Sequence, residues 1–227
     1  MKVMVLLSGG LDSATCLAMC IEQYGGNNVR ALNIYYGQKH KKEIECARNI
    51  AKYYDVPLEE FDLQRIMAGS DCPLLEQSNK KIRHESYAQQ ISEDGEGTVD
   101  TYVPFRNGLM LSIATARALI HDCGMICYGA HSDDACGSAY PDCTPQFYDG
   151  MNKAIYEGSG HVVTLYAPIL NLTKAGVVKE GLRLGVPYEL TWSCYEGGDR
   201  PCHTCGTCID RENAFKLNGT IDPLCKE

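Results

Sequence analysis

The chain has 227 residues, 44% of them hydrophobic, and 21 Lys and Arg against 29 Asp and Glu give a formal net charge of −8. That size and composition fit one large α/β domain with a small appendage and a real core. No run approaches the roughly 18 apolar residues of a membrane-spanning helix, and the acidic balance argues against a nucleic-acid partner, which calls for a basic face.

Val3-Met4-Val5-Leu6-Leu7 opens the chain as a short, uncharged, partly β-branched run, read as a buried parallel strand rather than a secretory leader. Ser8-Gly9-Gly10-Leu11-Asp12-Ser13 follows, and apolar residues at helical spacing continue from Ala14 to Ile21 before Gly25-Gly26 stops the helix. Strand, glycine turn and helix aim unpaired N–H groups at a ligand from the positive end of the helix dipole, with Ser8 and Ser13 adding hydroxyls. The pocket suits a phosphate or pyrophosphate. The turn is neither Gly-x-x-x-x-Gly-Lys-Ser/Thr nor Gly-x-Gly-x-x-Gly, so the common triphosphatase loop and the dinucleotide loop are set aside. Ser-Gly-Gly-x-Asp-Ser resembles the signature of the PP-loop ATP pyrophosphatases, which split ATP between its α- and β-phosphates to activate an oxygen as an adenylate.

Residues 29–36 read as a second strand that ends at Gly37-Gln38-Lys39-His40, where a parallel sheet places function. Lys39 to Lys42 start a helix through about Tyr54, with Lys39 and His40 the better placed to meet a ligand. Residues 56–63 are a third strand. The pattern then breaks between 67 and 101, a loop-rich insertion read as a lid, an interface segment or disorder. Val103-Pro104-Phe105 leads to Arg106 and Asn107 before an alanine-rich helix over 108–121, and a guanidinium there suits a phosphate or carboxylate as well as an ordinary salt bridge. The strand Met125–Gly129 leads into a loop bearing His131, Asp133, Asp134, Tyr140 and Asp142. Its carboxylates suit the N–H edge of a guanine-like ring, a Mg2+ ion or plain turn formation, and His131 reads as structural. A helix over 147–158, a strand over 162–165 and an amphipathic helix opening at Pro168 follow. Lys174 near that helix start opposes the dipole and hints at an anionic partner.

Thirteen cysteines, an odd and dispersed set, suit reduced thiols in a cytoplasmic protein, with Cys16, Cys20, Cys46, Cys123 and Cys127 read as small buried hydrophobes. Cys194, Cys202, Cys205 and Cys208 are spaced C-x7-C-x2-C-x2-C. Four thiolates at that spacing close a tetrahedron around a structural Zn2+, which ties down the C-terminal segment. An iron–sulfur cluster, a redox pair, or His203 in place of one thiolate are the competing arrangements. A last helix runs over 209–217. The division is a Rossmann-like α/β domain over 1–190, with parallel strands flanked by helices, and a zinc-binding segment over 191–227.

Together, Ser8 to Ser13, Tyr36 to His40, Val103-Pro104 with Arg106-Asn107, Gly137 to Cys143 ending Tyr-Pro-Asp-Cys, and the four-cysteine knuckle resemble the 7-cyano-7-deazaguanine synthase family of queuosine biosynthesis. The resemblance implies an ATP- and Mg2+-dependent ligase that turns 7-carboxy-7-deazaguanine and ammonia into the nitrile through an adenylate and an amide, and it implies a homodimer. It implies catalytic roles for Ser8, Asp12, Ser13, Lys39, Arg106 and Lys174. ATP would lie against Leu7, Ser8, Gly9, Gly10, Leu11, Asp12, Ser13, Tyr36, Gln38, Arg106, Asn107 and Gly129. The deazaguanine acid would meet Gln38, His40, Asp133, Asp134, Tyr140 and Asp142. The family usually has glycine where this chain has Phe105, and the 132–138 loop is longer than usual. These departures open a second reading, in which the enzyme stops at the amide or couples the activated acid to another amine such as a protein N-terminus, as in antiviral relatives. A tRNA-modifying ATP pyrophosphatase is a third.

Overall fold

The first apolar run forms a strand, β1 (Lys2–Leu6), whose side chains alternate between two cores: Val3 and Val5 face one, Met4 the other, and all three are fully buried. The computed structural model describes residues 1–95, 97–135 and 139–225, with the side chains of 87, 88, 91, 94, 134 and 135 left aside. Helix α1 (Leu11–Tyr24) leads to β2 (Val29–Tyr35), and α2 (Lys42–Tyr53) to β3 (Leu58–Asp62). After the insertion, which carries α3 (Tyr87–Asp94), come α4 (Arg106–Ile120) and β4 (Cys123–Cys127). The short α5 (Ser132–Ala135), α6 (Pro145–Gly158), β5 (Thr164–Tyr166), α7 (Lys174–Arg183) and α8 (Gly206–Leu217) complete the chain.

The five strands pair in parallel in the order β3-β2-β1-β4-β5, a Rossmann-like sheet. Parallel neighbours need crossover helices, which is why apolar strands here alternate with amphipathic helices. One core joins Leu17 of α1, Ile50 of α2, Val177 and Val178 of α7 and Phe215 of α8. The other joins Leu111 and Ala114 of α4 with Ile155 of α6, Leu32 and Ile126. The strand order reverses beside β1, so a crevice opens at the carboxyl ends of β1, β2 and β4.

Helices α6 and α8 open two and three residues before the sequence expectation, at Pro145 and Gly206, and three other helix starts differ for reasons visible in their hydrogen bonds. Helix α2 begins at Lys42, because Lys39 N–H is drawn sideways to the Leu74 carbonyl at 2.8 Å. Helix α4 begins at Arg106, two residues early, because Asp142 reaches across to accept the Asn107 N–H at 2.8 Å. Helix α7 begins only at Lys174, where the Thr173 hydroxyl caps the Gly176 N–H at 3.2 Å. The insertion is built into the protein: Cys72, Leu74, Leu75 and Ile82 join Tyr36, Val103, Trp192, Cys194, Cys205 and Cys208 in a third buried cluster over the carboxyl end of the sheet. Cys16, Cys20, Cys123 and Cys127 are buried as expected, and Cys46 is half-buried. Among the described residues no helix is long and apolar enough to cross a membrane.

Candidate active site

The glycine loop sits at the end of β1, and its shape is fixed by its own hydroxyls. Ser13 Oγ donates to the Gly10 carbonyl at 3.1 Å and accepts the Ser8 N–H at 3.2 Å, while the Ser8 and Ser13 hydroxyls meet at 3.0 Å. Ser8 Oγ also accepts the Gly10 N–H at 3.2 Å. Gly9 has φ of 96°, and a Cβ there would run into the backbone carbonyl of Glu43, so only glycine lets α2 pack this closely on the loop.

Asp12 stands in the first turn of α1. Lys174 Nζ, from the first turn of α7, donates to Asp12 Oδ2 at 2.7 Å and lies 3.1 Å from His131 Nε2. His131 Nε2 is itself 3.9 Å from Asp12 Oδ1. Burial alone would raise the Asp12 carboxyl, but Lys174 and His131 outweigh it and hold Asp12 below its usual range. Asp12 Oδ1 is buried with no hydrogen-bond partner. A buried carboxylate oxygen at the mouth of an anion-binding loop is the donor a hard divalent cation takes, so the site fits Mg2+ beside a phosphate.

Across the crevice Arg106 is half-buried, with NH1 donating to the Tyr36 hydroxyl at 3.1 Å and its guanidinium 5.2 Å from the Tyr36 ring. Burial works against its charge, yet Tyr36 and Asp142 more than restore it. A cavity of about 220 Å3 joins these groups. Its wall runs from Leu7, Ser8, Gly10 to Ser13 and Gly129 past Lys174 and His131, then past Tyr36, Gln38, His40, Arg106, Asn107 and Tyr140. Tyr140 is held by a 2.6 Å hydrogen bond between its hydroxyl and that of Thr101.

The knuckle closes the far side. The Sγ atoms of Cys194, Cys202, Cys205 and Cys208 lie within 4.8 Å of one another. Cys202 N–H donates to Cys194 Sγ and Cys205 N–H to Cys202 Sγ, each at 3.3 Å, the backbone support that thiolates at a metal use. Four sulfurs and no open position fit a structural Zn2+.

A family model described as "Queuosine biosynthesis protein QueC" matches residues 2–219. The chain belongs to that family. Similar relatives, each named 7-cyano-7-deazaguanine synthase, come from Archaeoglobus fulgidus (42% identical over 100% of this chain and 91% of that protein) and Psychromonas ingrahamii (37% over 100% and 98%). Another, from Thermoplasma acidophilum, is 39% identical over 98% of this chain and 91% of its own length. Among solved structures, an NH3-dependent NAD synthetase from Campylobacter jejuni gives a TM-score of 0.49 at 16% identity, covering 83% of this chain and 66% of that one, a likeness too distant to bear on the chemistry. The chain is an ATP-dependent ligase of the QueC family.

Four of the described residues expected at the site stand outside the cavity wall of this QueC-family enzyme, Gly9 among them, its carbonyl accepting the Trp192 backbone N–H at 3.0 Å. Lys39 is exposed and donates to the Lys80 carbonyl at 3.0 Å. Asp133 accepts the Lys174 N–H at 2.7 Å and so fixes the start of α7. Asp142 is buried beneath Asn107, and burial raises its carboxyl. The side chain of Asp134, with Cys136, Gly137 and Ser138, lies outside the described residues. Conversely, the structure adds His131, Trp192, Ser193 and Asp210 to the cavity wall, and above all Glu43. Burial, against Arg106 and a hydrogen bond from Gln38, pushes the Glu43 carboxyl up to about 7. An acid directly after the basic run Lys39-His40-Lys41-Lys42 looks like a solvated helix face. The signal for its burial is Gly9, which draws that turn of α2 onto the loop.

Proposed function

We propose that this enzyme converts 7-carboxy-7-deazaguanine and ammonia, with ATP, to 7-cyano-7-deazaguanine. The observation that carries the reading is one cavity in which the Ser8–Ser13 loop and Lys174 face Arg106 across the crevice, with Tyr36, Tyr140, Trp192 and Glu43 completing an aromatic and acidic wall.

A carboxylate is inert to an amine until its oxygen becomes a leaving group. Attack of the acid on the α-phosphorus of ATP gives an acyl adenylate and pyrophosphate. The loop N–H groups, Lys174 and Arg106 neutralise the charge that the departing pyrophosphate gains. Mg2+ held at Asp12 Oδ1 would supply Lewis-acid screening of the phosphates. Ammonia then adds to the acyl carbon, AMP leaves, and one proton is lost to give the amide. Glu43, titrating near 7, is the cavity group suited to hold that proton. A second ATP transfers its adenylyl group to the amide oxygen in the same pocket, releasing pyrophosphate and one N–H proton, and loss of AMP with the remaining N–H proton yields the nitrile. Holding both reactants in a partly enclosed cavity supplies much of the rate.

The placement of Phe105 removes one ground for the amide-stopping and amine-coupling readings. Its ring is 57% exposed and stands against Gly108 and, edge-on at 6.0 Å, against Phe147, off the cavity wall. Its bulk is therefore spent outside the acceptor pocket. The test is mass spectrometry of products after incubation with Mg-ATP, 7-carboxy-7-deazaguanine and ammonium. Nitrile with two AMP per product is the expected result. An amide or adenylate that accumulates without nitrile would overturn the reading and turn attention to another amine acceptor.

A further inference from the structure

His203 lies between two knuckle cysteines, yet its ring points out of the knuckle. With φ of 62° at His203, Nδ1 reaches Glu212 Oε1 of α8 at 2.6 Å and faces Cys225 Sγ of the C-terminal turn at 3.9 Å. The three ligand atoms lie within 4.8 Å of one another. They come from three separate segments, the knuckle loop, α8 and the turn Pro223–Cys225, and they belong to a different set from the four knuckle sulfurs.

We propose that His203, Glu212 and Cys225 form a second metal site, an exchangeable one for a zinc-class divalent ion. The donor set decides the class. One imidazole nitrogen, one carboxylate oxygen and one sulfur suit Zn2+, Co2+ or Ni2+, and the sulfur disfavours Mg2+ and Ca2+. Three protein ligands leave a fourth position for water, unlike the closed knuckle. Tetrahedral coordination at ordinary bond lengths puts such donors about 3.4 to 3.6 Å apart. The two measured separations bracket that span, so side-chain rotation alone seats the ion. The electrostatics agree. The carboxylates of Asp222 and Glu212 both stand near the Cys225 sulfur. Arg211, whose charge also acts on Cys225, is committed to Asp222 at 2.6 and 3.0 Å. Among the described residues no lysine or arginine stands within salt-bridging distance of His203, Glu212 or Cys225. A divalent ion supplies the missing positive charge and displaces the thiol proton to solvent.

The site is exposed enough to exchange, with the His203 side chain 49% and the Glu212 side chain 36% accessible. The test uses the full chain carrying its knuckle metal, rinsed with a weak chelator and titrated with Co2+. Zinc is counted throughout to show that the knuckle stays filled. Wild type should take one further Co2+ per chain with a thiolate-to-cobalt charge-transfer band in the near ultraviolet. Cys225→Ser should lose the band and weaken uptake by more than roughly 100-fold, beyond what loss of an outer-shell partner costs. Glu212→Gln, a surface change on a helix, should keep the band and bind at least roughly tenfold more weakly. No uptake beyond the knuckle equivalent, or a band and affinity unchanged in both variants, overturns the proposal.

Discussion

Asp12 shares one oxygen with Lys174 and keeps the other buried with no hydrogen-bond partner. Asp12→Asn keeps the shape and removes the charge, so AMP release should fall by roughly 100-fold or more while the fold persists. A coupled assay beside a circular dichroism spectrum checks this, and near-normal turnover would show that the carboxylate is not needed. Glu43 gives a prediction of opposite character. Its carboxyl rises from 4.5 to about 7 on folding. The native state therefore holds more protons than the unfolded chain between those values, and stability falls as pH rises through that window. Glu43→Gln should abolish this slope and gain at most about 2 to 3 kcal/mol at pH 8 over wild type, measured as urea unfolding at several pH values. In turnover the same variant should lose the limb of the pH profile near 7. Much of this site was legible in the letters, because the loop, Arg106 and the knuckle announce their chemistry through local spacing. Lys39, Asp133 and Asp142 read as ligand groups because they sit at strand ends. What local spacing omits is the direction of a side chain, and two of the three point at helix starts instead.

At the scale of elements, the five strands and the major helices were legible because apolar period and glycine stops are local signals, whereas the helix starts depend on long-range partners such as Asp142. Phe105, which precedes α4, shows a conflict between a residue and its place. It sits at φ of 52°, ψ of 27°, a left-handed conformation that costs a side chain about 1 to 2 kcal/mol. Phe105→Gly relieves that strain and forfeits the edge contact with Phe147, worth about 0.5 to 1.5 kcal/mol, so stability should hardly change. Phe105→Ala loses the contact and keeps the strain. The glycine variant should therefore be the more stable of the two by about 1 kcal/mol in denaturant unfolding, the reverse of their order inside a helix. Equal stabilities would mean that the turn relaxes out of the left-handed region when the ring is removed.

Across the whole molecule, the knuckle shares its buried cluster with the insertion and with Trp192. Cys205→Ser should release the zinc, loosen that cluster and weaken ATP binding at the far loop as well. Metal analysis together with nucleotide titration reads both effects, and retained ATP affinity in a zinc-free chain would separate the two. This coupling was not legible in the sequence, where the cysteines read as an appended segment over 191–227. It arises from contacts between residues more than 100 positions apart, such as those of His84 in the insertion with Thr204 and Glu196 at the knuckle.

The contacts at Trp192 also bear on how such a protein can be rearranged. Its backbone N–H donates to the Gly9 carbonyl at 3.0 Å, its indole N–H donates to the Cys194 carbonyl at 2.8 Å, Lys42 Nζ lies 3.7 Å from its ring centroid, and the same Nζ donates to the Gly198 and Asp199 carbonyls at 2.7 and 2.9 Å. Nucleotide loop, α2 and knuckle are thus stitched through one lysine and one tryptophan. A chimera that joins the first 190 residues to a relative's tail must inherit both ends of that stitch. A truncated sheet, however well folded, is a cup with one side missing.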